Sequence, residues 1–157
     1  MNSKKWLIKT EPTTYSIDNL MRDKITHWEG VRNYQARNFM MNDMTIGDDV
    51  FIYHSNTTIP AIVGLGVISS KAYPDHFSWD ETSSYYDPKS TPEKPRWYMV
   101  DVAFGLKFNT PITLQTIKSD INLVNMAVLQ KGSRLSIQPV QHEEFNYIMR
   151  TYYHETN

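Results

Sequence analysis

GDDVFIYHSN, residues 47–56, and AIVGLGVISSKAY, residues 61–73, are the stretches on which the fold turns. Gly47 and the two aspartates after it form a turn signal, and the chain then becomes β-rich, with a side-chain period of two. Gly64 and Gly66 interrupt the second run and point to a bend or a close approach of another backbone. A barrel or a strongly curved sheet fits this pair of strands.

Upstream, KWLIKTEP (residues 5–12) is a strand closed by Pro12, with Trp6 and Ile8 on one face and Leu7 and Lys9 on the other. YSIDNLMRDK predicts a helix: Ser16 can cap it, and Ile17, Leu20 and Met21 fall at i, i+3 and i+4. A second helix begins near Asn33, a good N-cap, with Ala36, Phe39 and Met40 as its buried stripe.

Downstream, residues 73–96 hold four of the eight prolines and no periodicity. Loops of this length are uncommon in compact domains and are usually functional or disordered. The aromatic content of this one argues against disorder. RWYMVDVAF then resumes a strand, and PITLQTIKSD and NLVNMAVLQ are short helical pieces. SRLSIQPV is a last strand stopped by Pro139, and VQHEEFNYIMRTYY closes as a helix that buries Phe145, Ile148, Met149 and Tyr152. With neither repeat nor linker, the 157 residues read as one α+β domain, 1–157.

Composition narrows the function. Sixteen Lys and Arg against seventeen Asp and Glu leave a formal charge of -1, so no overall field draws the chain onto nucleic acid and any such contact must be local. The absence of cysteine excludes disulfides, thiolate zinc sites and cysteine nucleophiles. The first residues turn polar after three apolar ones, unlike a signal peptide, and no apolar run reaches the roughly 20 residues of a membrane span. A soluble intracellular protein is expected, cytoplasmic in a bacterium or nuclear in a eukaryote.

HWEGVRNYQARNFM, residues 27–40, concentrates Trp28, Arg32, Asn33, Tyr34 and Arg37. Helix-start amides, two guanidinium groups and two flat rings suit a phosphate joined to a base. The plain alternative is an amphipathic helix with solvated arginines and a core tryptophan. His54, Ser55 and Asn56 end a strand, where they can read a base edge or simply form a turn. Trp97 follows the long loop and either stacks a base or anchors the sheet. Arg134 and Ser136 share one face with Gln138 in SRLSIQPV.

His27, His54, His76, His142 and His154 show no ligand spacing, so neither a metal nor a cofactor is expected. Catalytic motifs are equally scarce. Lys9, Thr10 and Glu11 are the best enzymatic candidate, and a surface ion pair is their ordinary meaning.

In this order, WLIKTEP, WEGVRNYQARNFM, GDDVFIYHSN, PAIVGLGVIS, DPKS, PRWYMVDV and SRLSIQPV resemble the EVE domain, a member of the PUA-like superfamily related to YTH domains. The resemblance runs from about Lys5 to Met149 and implies a PUA-like pseudo-β-barrel of about five or six strands flanked by helices. It further implies a non-enzymatic module that holds one modified base of DNA or RNA in an aromatic pocket; a monomer with no membrane partner is expected. Modified cytosines such as 5-methylcytosine or 5-hydroxymethylcytosine are the implied ligands. Carried over by motif, Trp28 is a cage wall with Arg32, Asn33, Tyr34 and Arg37 beside it. His54, Ser55 and Asn56 lie next to the base, Trp97 is the second wall, and Arg134 and Ser136 belong to the closing motif. Trp79 or Tyr85 from the long loop can replace Trp97 in that role. The related ASCH branch implies an alternative, an amidohydrolase acting on a nucleoside such as N4-acetylcytidine through Lys9, Thr10 and Glu11.

Overall fold

The computed structural model describes residues 3–130 and 134–153. Ser133, which opens the SRLSIQPV motif, and His154 lie outside the described residues. Among the described residues eight strands and four α-helices follow in chain order: β1 (Lys5–Thr10), α1 (Ile17–Asp23), β2 (Ile25–His27), α2 (Tyr34–Asn38), β3 (Asp49–His54), β4 (Ala61–Ile68), β5 (Tyr73–Pro74), β6 (Tyr98–Met99), β7 (Asp101–Thr113), α3 (Leu114–Ser119), β8 (Ile137–Val140) and α4 (His142–Tyr152).

Six strands form one sheet in the order β2-β7-β4-β3-β1-β8. The sheet curls into half a barrel with helices against it, the α+β architecture expected from the sequence. Its pairings are antiparallel except for β1 against β3, which run parallel with Trp6 opposite Val50 and Thr10 opposite His54.

The curl has a local cause. The register slips between Ile52 and Tyr53 on β3, and again between Ile62 and Gly64 and between Leu65 and Gly66 where β4 meets β7. At Gly64 a Cβ would collide with the Leu106 carbonyl, and at Gly66 it would lie 2.8 Å from the Val102 side chain. The two glycines thus permit the close approach that the sequence suggested.

Both faces of the central strands are buried. Trp6, Ile8, Val50 and Ile52 join Ile17 and Leu20 of α1 and Ala36 and Met40 in one core cluster. Leu7, Phe51 and Tyr53 turn the other way, into a second cluster with Ile117 of α3 and Phe145 and Ile148 of α4. This explains the nearly continuous apolar runs of β1 and β3. Asp48, at the turn into β3, is buried and accepts hydrogen bonds from the Trp6 indole (2.9 Å) and the Lys4 and Thr45 amides, locking β1 to the turn.

Ser16 caps α1 through a reciprocal box with Asn19, and Asn33 caps α2 by accepting from the Ala36 amide. The second helix is shorter than its stripe predicts. Its five α-helical residues pass into a single π-helical turn, Phe39–Asp43, which still buries Met40 and sets Phe39 against Trp6 at 5.3 Å between ring centres.

Three expectations need correction. Pro139 does not stop β8, which continues to Val140; β8 is an edge strand, so a residue without an N–H is tolerated there. β8 also begins only at Ile137, so Arg134 and Ser136 precede it rather than sharing a strand face with Gln138. RWYMVDVAF is not one strand: it breaks at Val100 into β6, which pairs with β5, and β7, which extends through Pro111 and Ile112 where helix was expected.

Candidate nucleic-acid interface

β2 lies at the edge of the sheet, and the Trp28 amide directly after it donates to the Val100 carbonyl at 2.8 Å. The chain then turns at Gly30, whose φ of +86° disfavours any side chain. A Cβ on Gly30 would also lie 2.5 Å from the Tyr85 ring. The glycine is thus what lets an aromatic side chain from the long loop settle over this turn.

On the opposite side Tyr15 meets Trp28 edge-on, with ring centres 5.9 Å apart at 85°. Three hydrogen bonds fix Tyr15: its amide donates to the Glu11 carbonyl (2.9 Å), its carbonyl accepts from Thr10 Oγ1 (2.7 Å), and its hydroxyl donates to Asp23 Oδ2 (2.8 Å). Trp28, Tyr15 and Tyr85 enclose a cavity of about 350 Å³ with Thr10, Thr14, Asp23, Thr26, His27 and Glu29. That volume is in the range of small-molecule sites, and planar rings opposed by hydroxyls and carboxylates suit a flat polar ligand. The Arg22 guanidinium, then the Tyr15 hydroxyl, hold the Asp23 carboxyl below its ordinary range, so it stays an acceptor.

Beside this cavity lies a ledge of rings and arginines. Asp75, fully buried, accepts from the Gly30 amide (2.9 Å), the Phe77 amide (3.0 Å) and Arg32 Nη1 (3.0 Å). Arg32 also donates twice to the Tyr85 carbonyl, at 2.6 and 3.2 Å, and its guanidinium sits 5.6 Å from the Tyr85 ring centre and 5.5 Å from that of Trp97. Tyr34 stacks on Trp97 at 4.9 Å and 24°. Arg37 lies over Tyr34 at 4.7 Å and donates to the Arg96 carbonyl, while Arg96 donates to the Tyr34 hydroxyl at 2.9 Å.

The residues singled out from the sequence therefore do not gather in one place. Trp28 lines the cavity. Arg32, Tyr34, Arg37 and Trp97 gather in the ledge; Trp97 is only 5% exposed, covered by Tyr34, and tied through its indole N–H to Asp87 at 2.7 Å. Asn33 spends its side chain as the cap of α2.

His54, Ser55 and Asn56 cluster at the end of β3, next to Thr10 rather than in the cavity wall. The Ser55 amide donates to the Thr10 carbonyl, and Asn56 adopts a left-handed φ of +51°. His54 Nε2 accepts the Ile17 amide at 3.1 Å, which requires a neutral ring, and burial lowers its pKa in keeping with that. Ser136 reaches the same end of the sheet, its carbonyl accepting from the Lys9 amide, and Arg134 is exposed. As for the enzymatic candidate, Glu11 is exposed, burial lowers the Lys9 pKa, and the Thr10 hydroxyl is engaged by the Tyr15 carbonyl.

Sequence reasoning passed over Tyr15, Asp23, Glu29 and Asp75 and named Tyr85 only as a substitute. A carboxylate at the start of a short 3-10 helix was the one available signal for Asp75, whose Oδ1 caps His76–Trp79. A second cleft, about 440 Å³, is lined mainly by Met40, Met41, Met44 and Ile46. Tyr98 is its one aromatic ring, so it cannot sandwich a planar ligand.

The EVE domain family model matches residues 4–151. The chain belongs to the EVE domain family. This EVE domain is 40% identical to human thymocyte nuclear protein 1 over 94% of its own length and 73% of that protein's. It is similar to a solved structure of a protein from Leishmania major, with a TM-score of 0.90, 46% identity, and coverage of 95% of this chain and 94% of that one. It is also similar to human THYN1 solved in complex with DNA containing 5-methylcytosine (TM-score 0.88, 40% identity, 94% and 96% covered). A likeness to an ASCH protein from Zymomonas mobilis, at a TM-score of 0.53 and 9% identity over 94% and 98% of the two chains, is one of fold alone.

Proposed function

We propose that this EVE domain binds DNA and holds one modified cytosine, such as 5-methylcytosine, between Trp28, Tyr15 and Tyr85. One observation carries the reading: Tyr85 belongs to both halves of the site. Its ring lines the cavity, while its carbonyl is gripped by Arg32, which continues into the Trp97, Tyr34, Arg37 and Arg96 ledge. A base in the cavity thus has cationic side chains beside it for its own backbone phosphates, which a chain of net charge -1 must supply locally.

The geometry supports these roles. Trp28 supplies the stacking face. Arg37 and Arg96 meet phosphate by exchanging their exposed hydrogen bonds to Asn38 and the Tyr34 hydroxyl, whereas Arg32, held by the buried Asp75 and by the Tyr85 and Val31 carbonyls, positions the Tyr85 wall. A base drawn out of its stack is compensated by new stacking worth roughly 1–3 kcal/mol and by hydrogen bonds to its edge. The relative solved with 5-methylcytosine DNA supports this choice of polymer and base.

The test is fluorescence anisotropy at fixed low salt with two DNA oligonucleotides that differ by one 5-methyl or 5-hydroxymethyl group on a single cytosine. The modified strand is expected to bind more tightly, and Trp28→Ala to lose roughly ten-fold or more of that binding while retaining its circular dichroism. Equal binding of both strands, or an unaffected Trp28→Ala, sinks the proposal; modified RNA is the next ligand to try.

A further inference from the structure

The polar rim of the cavity is one-sided. Two carboxylates, Asp23 and Glu29, line it, and among the described residues neither lysine nor arginine does. The two differ in what they have left to give. Asp23 accepts from Arg22 at 2.8 and 3.1 Å and from the Tyr15 hydroxyl at 2.8 Å. Among the described residues no hydrogen bond ends on the Glu29 carboxylate, which faces His27 Nε2 at 3.6 Å, beyond hydrogen-bond length, and acts on Tyr73 through its charge; its side chain is just 31% exposed. A carboxylate with unspent acceptor capacity therefore stands directly after Trp28, at the edge of a slot walled by three rings.

An ionised carboxylate accepts and never donates. A base that turns an exocyclic amine toward it gains a charge-assisted hydrogen bond, whereas a base with a carbonyl at that position sets two acceptors against each other. The Thr14 hydroxyl, also in the lining, can donate to a ring carbonyl on another edge, whereas that of Thr26 is directed at the His27 carbonyl at 3.4 Å.

Resting on the base-reading function above, we propose that Glu29 is the residue that selects for an exocyclic amine. It thereby separates 5-methylcytosine from thymine, which carries the same methyl group but a carbonyl in place of the amine. Shape and stacking cannot make this distinction, because the two bases are nearly isosteric. The edge carboxylate can.

The experiment uses duplexes with 5-methylcytosine or thymine opposite an abasic position, so that neither base has a pairing partner to lose. Wild-type protein is expected to favour 5-methylcytosine by roughly ten-fold or more. Glu29→Gln, whose amide can turn either its oxygen or its nitrogen toward the base, is expected to bring the two affinities within about two-fold while keeping binding to 5-methylcytosine within a few-fold. Glu29→Ala should narrow the ratio mainly by weakening the 5-methylcytosine complex. Retention of the wild-type ratio in Glu29→Gln and Glu29→Ala overturns the assignment of Glu29 and leaves base reading intact. Wild-type binding that ignores the identity of the base overturns both.

Discussion

His54 shows how one side chain can be placed by the fold for a purpose the sequence does not advertise. Its Nε2 accepts the first amide of α1, an orphan donor that no residue inside the helix can satisfy. Only the neutral ring can accept, and burial also disfavours the cation, so the folded chain binds this proton more weakly than the unfolded chain does. The resulting stability is complete above about pH 6.5 and declines as the pH falls from there through the lower folded-state pKa. Asp18 and Lys107 act on the ring in opposite senses. His54→Gln preserves an acceptor without a titration. Thermal melts at pH 7 and pH 5 should show a smaller drop in Tm for the variant than for the wild type, and equal drops would refute the role. From sequence, HSN read equally well as a base-edge reader or a turn, because a neighbour 37 residues away, Ile17, determines what His54 does.

Among the elements, the segment from Asp75 to Trp97 matters most to the site and was the hardest to read. It carries little regular structure, yet Asp75 anchors it to the turn that follows β2 by accepting from the Gly30 amide and Arg32, and ties its own first turn by accepting from the Phe77 amide. Asp75→Ala would strand the Gly30 and Phe77 amides and leave Arg32 without its ion pair, at a cost of roughly 3 kcal/mol. Urea titration should register that loss as a lower midpoint, and DNA binding should weaken beyond it because Tyr85 loses its support. A midpoint unchanged from wild type would show that the anchor is dispensable.

The strands and helices were legible because apolar patterning is a local signal; β1, α1, β3, β4 and α4 stand where it put them, although Met21 of the α1 stripe is exposed. The cavity was not, since Tyr15, Trp28 and Tyr85 come from three segments with no shared period. Trp28 alone stood out, through the string around it. The break at Val100 was invisible for a similar reason: β6 leaves the line of β7 to pair with Tyr73 and Pro74, a long-range choice.

At the scale of the whole molecule, charge and topology each have a measurable consequence. With a net charge of -1, DNA affinity must come from the few arginines of the ledge, so the dependence of log K on log salt should be shallow, with a slope of about -1.5 to -2 for the two that meet phosphate. Arg37→Ala should reduce the magnitude of that slope by about one while weakening modified and unmodified DNA alike. Loss of discrimination without a change in slope would instead place Arg37 at the base.

Topology acts earlier, while the chain is being made. β1 is translated before the other strands of its sheet but lies between β3 and β8, so its hydrogen bonds wait on segments roughly 40 and 130 residues later. Until Ile137–Val140 emerges, one flank of β1 is an open template for foreign strands. Closing that seam requires a long-range pairing of the kind that slows folding. A nascent chain stalled before β8 therefore has the rest of its sheet but an unguarded margin, and aggregation rather than partial activity is the expected fate of such a fragment.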